Sequence, residues 1–348
     1  MSRRFSIFTV FILAAPALFA QSNGAPAIHV FGGWAYGKTN GNTYLAGTRD
    51  GAYDNATLAL NVAASPVEQL RLEGQVCVGL DRGVRETSID YAFAEWRLSD
   101  AARLRAGRLK HPFGIYTEIF DVGTLRPFYS LPQAVYGPVG TLAKAYDGVG
   151  ISGFRKLGTR WAVTYDVYAG ELELPFNDFE ASSSADRTSL DVKRVVGGRA
   201  AFETPLDGLS FGASAYRGTI SDEESTRHRA VGAQVEYLTE RLTLRAELTD
   251  KRSGADTEHA GYLESAWHLT PHWQIAARRA ALREQDNPST TGRHDETVLG
   301  VNYWISRKFV LKISGHHVDG MHLVLPDAGA GKTNGRTNLL MFGAQFSF

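Results

Sequence analysis

The feature that most narrows what this chain can fold into is an alternation of apolar and polar residues with a period of two. In Leu340-Met341-Phe342-Gly343-Ala344-Gln345-Phe346-Ser347-Phe348, one parity reads Leu, Phe, Ala, Phe, Phe and the other Met, Gly, Gln, Ser. A period of two puts these sets on opposite faces of a β-strand. The pattern recurs: Leu70, Leu72, Val76 and Val78 alternate with Arg71, Glu73, Gln75 and Cys77. Leu242, Leu244, Ala246 and Leu248 alternate with Thr243, Arg245, Glu247 and Thr249. Phe309, Leu311 and Ile313 alternate with Val310, Lys312 and Ser314. One face suits lipid; the other carries ionisable groups and suits water.

A small soluble barrel fills its interior with its apolar side chains, which fits poorly with so many strands bearing charges on the second face. The start of the chain points the same way. Arg3 and Arg4 precede a short apolar stretch, Phe5 to Leu18, with small residues at Ala17 and Ala20. This reads as a secretory signal over residues 1–20, leaving 21–348 as one barrel domain. The stretch is short for a membrane helix, which needs ~20 apolar residues, and no cysteine follows it for lipid attachment. Beyond it no apolar run reaches the ~18 residues of a membrane span, whereas a membrane strand needs only ~9–11 residues, alternately apolar.

Bulk charge implies neither a nucleic-acid partner nor a strongly single-signed lumen, because 37 basic residues meet 37 acidic ones. A single cysteine, Cys77, excludes an internal disulfide and a thiolate metal cluster. No cofactor is implied.

Sixteen segments carry the strand pattern: 27–37, 52–64, 69–80, 86–98, 102–111, 144–155, 160–171, 192–203, 208–219, 227–238, 240–251, 257–269, 272–283, 294–306, 308–319 and 336–348. Their connections alternate short and long, as in membrane barrels with short periplasmic turns and longer outer loops. The expected fold is therefore all-β: a transmembrane, antiparallel, up-and-down β-barrel in the bacterial outer membrane. An even strand count lets the last strand close on the first, which matters because an unpaired backbone group in lipid costs several kcal/mol. Trp161, Trp267, Trp273 and Trp304 fall near short turns, where an aromatic girdle belongs. Leu340, Phe342, Phe346 and Phe348 share one face of the last segment and resemble the terminal strand that outer-membrane proteins present to the barrel-assembly machinery. The expected surroundings are outer-membrane lipid and lipopolysaccharide.

Residues 112–143 form the longest connection, about thirty residues, and loops of that length usually have a function. It is the third outer loop in this count, and in large barrels such a loop often folds into the lumen. Ala92-Phe93-Ala94-Glu95-Trp96-Arg97-Leu98, the run Leu104-Arg105-Ala106-Gly107-Arg108-Leu109-Lys110-His111-Pro112-Phe113-Gly114, most specific from Gly107, and Arg126-Pro127 resemble the phosphate-selective porin (porin O/P) family. The resemblance implies a sixteen-stranded barrel, a homotrimer and an inward third loop. The expected activity is then a water-filled channel for passive diffusion of small hydrophilic solutes, anions among them. The alternative is an outer-membrane enzyme or adhesin with a closed lumen. Arg103, Arg105, Lys110, Glu118, Asp121 and Arg126 are the candidate constriction residues, setting a transverse field across the pore. Acidic residues on lumen parity (Glu73, Glu95, Glu247, Glu264) dilute any anion-selective field. Arg105 and Arg108 have opposite parity, so both could face inward only through a bulge. Arg108, Lys110 and Arg194 fall on apolar parity, and their charges need a place beyond the lipid band or beside a protein partner.

Three constellations resemble other chemistry. Ala330-Gly331-Lys332-Thr333 looks like the end of a phosphate-binding loop, but the position for its first glycine is Pro326. His316, His317 and His322 cluster, yet neighbours on a strand point to opposite faces. His294-Asp295 lacks an evident nucleophile.

Overall fold

The computed structural model describes residues 26–81, 84–137, 142–177, 187–221, 225–286, 290–321, 323–325 and 335–348. The proposed signal at 1–20, the 330–333 run and His322 lie outside them. Sixteen antiparallel strands form one closed ring: β1 Ala27–Thr39, β2 Ala52–Val67, β3 Leu70–Asp81, β4 Val84–Ser99, β5 Ala102–Lys110, β6 Ala145–Leu157, β7 Trp161–Asn177, β8 Arg187–Glu203, β9 Leu209–Ile220, β10 Arg227–Leu238, β11 Leu242–Ser253, β12 Asp256–His268, β13 Trp273–Asp286, β14 Thr290–Ser306, β15 Phe309–Asp319 and β16 Arg336–Ser347. A further two-residue strand, Gly47–Thr48, lies in the first long connection and pairs parallel to β1. Each strand pairs with its sequence neighbour, and β16 closes on β1 from Phe31↔Ser347 to Thr39↔Leu339. Closure gives every strand a partner on both sides, which is the condition for crossing lipid.

The two parities separate as the sequence predicts. Leu58, Leu72, Val78, Leu248, Leu263, Leu299 and Leu340 are exposed on the outer face. Gln75, Glu247, Asn302 and Lys312 are buried in the lumen. An apolar outer band around a polar interior is the arrangement of a transmembrane barrel, and the chain is an outer-membrane barrel in this sense. Trp161, Trp267 and Trp273 are exposed at the short-turn rim, with the Tyr303 ring tilted against Trp273 at 4.9 Å between ring centroids. Trp304 departs from the expected girdle. It shares lumen parity with Asn302 and sits half-buried near His268.

The strands run longer than the alternation suggests. β7 extends to Asn177 and β8 begins at Arg187, so most of the expected 172–191 loop is strand. Here the pattern inverts. Leu172, Leu174, Val192 and Val195 are buried inside, while Glu171, Glu173, Asp191 and Lys193 face out. Above the lipid band the outer face meets water, and inside it meets the third loop, so apolar residues belong inward. The short–long rhythm is accordingly less regular than expected: only Gly254 and Ala255 separate β11 from β12.

Local breaks account for the misplaced charges. Arg194 has φ 54° in a bulge where the β8–β9 register shifts. The bulge sends both Lys193 and Arg194 outward while Val192 and Val195 stay inside. Arg108 also stays on the outer face, paired with Asp147 at 2.8 Å and near Glu173 at 3.9 Å. No bulge brings it inward.

Candidate functional site

The third loop occupies the lumen. It holds two 3₁₀ turns, Thr117–Ile119 and Gly123–Leu125, and one helical turn, Gln133–Tyr136. Its entry is the Gly107–Gly114 run singled out in the sequence, and both glycines have positive φ, 127° and 71°. A Cβ at Gly107 would lie 2.4 Å from the Ala92 carbonyl oxygen, so glycine is needed where β5 leaves the sheet. β5 pairs with β4 only as far as Ala92↔Arg108. Beyond that the chain turns inward, and Lys110, on apolar parity, enters the lumen.

The loop docks first through apolar contacts. Phe113, Tyr116, Phe128 and Val135 are nearly fully buried, each burial worth ~1.5–3 kcal/mol. They pack against Tyr168, Tyr216, Tyr262 and Val298 on the wall. Wall glycines make room for the rings. A Cβ at Gly232 would lie 2.9 Å from the Phe113 ring, one at Gly300 2.8 Å from Phe128, and one at Gly343 2.7 Å from Tyr129.

Polar anchors then fix its register. Lys312 Nζ donates to the carbonyls of Gly123 (2.8 Å) and Arg126 (2.5 Å) and to Gln345 Oε1 (2.7 Å). Arg278 donates to the carbonyl (2.9 Å) and hydroxyl (3.1 Å) of Ser130, and its guanidinium lies over Phe128. Arg245 donates to Tyr116 Oη (3.0 Å) and the Leu125 carbonyl (3.2 Å). Asn302 donates to the Pro127 carbonyl at 2.7 Å. In return the Tyr136 hydroxyl donates to Glu247 at 2.6 Å, and the Tyr116 hydroxyl donates to Glu264. Glu247 and Glu264 therefore hold the loop rather than face a pore. The sequence marks these residues as lumen-facing, but not what they bind, because their partners lie 111 to 189 residues away.

A gap of about 300 Å³ opens between the loop and the wall formed by β1 to β7. Its basic groups are Arg71, Arg103, Arg105 and Lys110. Its acidic groups are Glu73, Glu95, Glu118 and Asp166. Arg105 Nε donates to Glu95 at 2.6 Å and lies 3.8 Å from Asp166. Lys110 bridges Asp90 and Asp121, each at 2.7 Å. Asp90 reaches the lumen beside Tyr91 because a register shift between Gln75 and Val76 displaces it from regular pairing. Glu118 pairs with Arg199, which also holds Asp166 at 2.9 Å. Arg103 lines the gap with no hydrogen bond or ion pair among the described residues.

Of the six candidate residues, Arg103, Arg105, Lys110 and Glu118 line the gap, and Asp121 stands behind Lys110. Burial raises the Asp121 carboxyl, but the Lys110 and Lys144 ammoniums outweigh it and hold its pKa below the ordinary range. Arg126 does not join them. Its carbonyl accepts from Lys312, and its guanidinium, whose pKa burial lowers, is not among the gap-lining groups. Of the expected opposition of Glu118 and Asp121 to four cations, the Lys110–Asp121 pair forms, Arg105 goes to Glu95 and Glu118 to Arg199, and Arg103 and Arg126 show no ion pair among the described residues. Arg199, Asp166 and Asp90 are the members sequence reasoning missed; the first two lie on β8 and β7 with lumen parity, and Asp90 needed the bulge to be seen.

The apparent chemical clusters dissolve. His316 and His317 point to opposite faces, the first to Glu296 and Ser314, the second to Asn338. Ser314, His316 and Glu296 run in the order of nucleophile, base and acid, at 2.9 and 2.8 Å. Glu296 also takes Arg278 and the Tyr44 hydroxyl, and the gap does not reach Ser314. His294 is buried near Tyr44, while Asp295 faces outward among arginines.

No protein-family profile and no curated protein matches the chain. Solved structures do. The outer-membrane channel DcaP of Acinetobacter baumannii is similar at 10% identity, with a TM-score of 0.62 over 94% of this chain and 99% of that one. An anion-selective porin from Comamonas acidovorans gives 12% identity and a TM-score of 0.60, covering 93% of this chain and 100% of that one. OmpT, an outer membrane protein of Vibrio cholerae in trimer form, gives 11% identity and a TM-score of 0.59, over 93% and 100%. The fold is that of sixteen-stranded outer-membrane porins.

Proposed function

We propose that the chain is a porin: a non-enzymatic, water-filled channel through which small hydrophilic solutes diffuse passively. The observation that carries this reading is the gap between the third loop and the β1–β7 wall, lined by four basic and four acidic groups. Charge of both signs in a narrowed passage selects by size and local potential. Because most of these charges are paired, the reading is a channel of low ionic selectivity, with Arg103 giving a slight preference for anions. The porin O/P resemblance of residues 104–114 supports the inward loop entry; phosphate specificity does not follow from it. The trimer form of a similar structure supports a homotrimer. Leu340, Phe342 and Phe348, exposed on one face of β16 with Phe346 beside them, support an assembly signal.

Refolded protein in planar bilayers tests the reading. Stepwise conductance, in groups of three for a trimer, is the expected result. Silent bilayers from correctly folded protein would remove the channel function. Replacing Arg105 by Ala would leave Glu95 without its 2.6 Å partner, Asp166 still being held by Arg199, and shift the reversal potential toward cations. An unchanged potential would take Arg105 out of the constriction.

A further inference from the structure

The outer face of β9 to β14 carries arginines in an arrangement that the channel does not use. Arg217↔Arg229 and Arg229↔Arg252 are direct cross-strand neighbours, so three guanidiniums lie in a row on three adjacent strands. All three are exposed, and Arg217 and Arg229 have no hydrogen bond or ion pair among the described residues. Arg252 reaches only Asp250, at 3.5 Å. Like charges directly opposite one another destabilise a sheet, and among the described residues only Asp250 relieves this row, so an added anion would stabilise it.

Two strands further on, Arg279, Arg283 and Arg293 surround one carboxylate, Asp295, at 3.3, 2.8 and 2.6 Å. Asp319 adds a weaker contact to Arg293 at 3.5 Å. Asp295 is 4% exposed, whereas each of the three arginines is half exposed. Toward the short-turn side of Arg229 and Arg252 lie the lipid-facing Val231 and Leu248, Leu299 lies two residues below the partner of Arg279, and Leu263 pairs with Arg279 itself. The arginines thus sit at and just above the upper edge of the apolar band on the long-loop side, at the level of the outer-leaflet headgroups.

We propose that this surface binds a bis-phosphorylated glycolipid of the outer leaflet, a lipid A-type headgroup, with one phosphate on each arginine group. Guanidinium forks match phosphate bidentately. Neighbouring strands are about 4.8 Å apart, so β11 and β13 are separated by roughly 10 Å, about the length of the disaccharide that joins two phosphates. A single-phosphate lipid could neutralise one group only. The inference rests on the outer-membrane placement and is independent of conduction.

The test uses the intact folded barrel in detergent, with lipid binding counted by native mass spectrometry. Probes are bis-phosphorylated lipid A, dephosphorylated lipid A and phosphatidylglycerol. The expected result is salt-sensitive binding of the first, at least about tenfold tighter than of the other two, given the strength of charged hydrogen bonds. Replacing Arg217, Arg229 and Arg252 together by Gln is expected to lower that affinity at least about tenfold, and Arg279→Gln with Arg283→Gln to do the same. Single-channel conductance should not change in either set. Should the triple variant fail to fold, Arg229→Gln alone serves. Undiminished binding by folded variants, or equal binding of dephosphorylated lipid A or phosphatidylglycerol, overturns the proposal.

Discussion

Replacing Lys312 by Met should loosen the third loop without unmaking the barrel. Lys312 lies on β15, buried in the lumen, and its three short contacts match the three N–H bonds of an ammonium. Two of them reach loop carbonyls, those of Gly123 and Arg126. An acceptor left without a donor costs ~1–3 kcal/mol, so the two together represent ~2–6 kcal/mol of docking free energy. Two effects reduce this. No carboxylate lies within ion-pairing distance of Lys312 among the described residues, so its removal relieves a desolvation cost. Lumen water can also reach the freed carbonyls. A net ~2–3 kcal/mol follows, and at 1.4 kcal/mol per factor of ten the detached loop becomes about 30- to 150-fold more populated. The segment set free, residues 123–128, would lose its hold on β15 and is expected to fluctuate within the lumen. The expected readout in planar bilayers is increased open-channel current noise, with little change in reversal potential. If Lys312→Met migrates as a folded barrel on gels yet gives the wild-type noise spectrum, the loop is not held by this lysine.

The remaining predictions address other links between sequence and channel. Arg103→Gln removes the gap-lining cation that has no partner among the described residues and should move the reversal potential toward cations; a salt-gradient recording that shows no movement would exclude Arg103 from the passage. Gly300→Val places carbon where Phe128 packs, 2.8 Å from its ring, and should expose Phe128 to solvent; unaltered protease resistance of the loop would contradict the packing argument. Acidification should loosen the loop. Burial lowers His111 from its ordinary 6.5 to about 3, so the stability from its neutral form is complete above 6.5 and lost as pH falls toward 3. Asp121, also lowered, adds stability that is complete above its ordinary 3.8 and lost below it. Protection factors of residues 111–137, with exchange normalised to the intrinsic rate at each pH, should therefore fall from pH 7 to pH 4, and equal protection at both values would count against His111; the Asp121 contribution is read only below pH 3.8. Phe348→Ala should slow assembly by the barrel-assembly machinery while leaving the two backbone bonds between Phe348 and Val30 in place; an unchanged assembly rate with a folded product would remove Phe348 from the signal.

The alternation made the barrel legible because lipid imposes a rule that no neighbouring residue can override. A lipid-facing position must be apolar and a lumen position can be polar, so Leu248 and Glu247 announce their faces without knowledge of any contact. The same rule misled where lipid ends. Leu172, Leu174 and Val192 look lipid-facing to a reader who equates apolar with outward, yet they pack on the third loop inside the barrel. Arg108 and Arg194 look misplaced for the same reason, and both are simply above the lipid. Charge on apolar parity, followed along consecutive strands, would have marked the upper edge of the band and lengthened β7 and β8.

The site was legible at a different grain. Charged residues on lumen parity could be identified, but their partners could not, because a loop folded across the lumen meets strands far along the chain. Lys312, Arg245 and Glu247 were all visible as lumen residues, and all three bind the loop rather than solute. This bears on selectivity directly. A count of lumen charges overstates the field that a solute meets, since the β11–β15 wall uses its cations to satisfy loop carbonyls and its carboxylates to accept tyrosine hydroxyls. Only the charges on the β3–β7 wall and Glu118 border the gap, and most of those are paired across distances under 4 Å. In the channel proposed above, the field available to a passing ion would therefore be set by the imbalance within a few pairs, and Arg103→Gln is expected to alter selectivity more than the loss of any loop anchor.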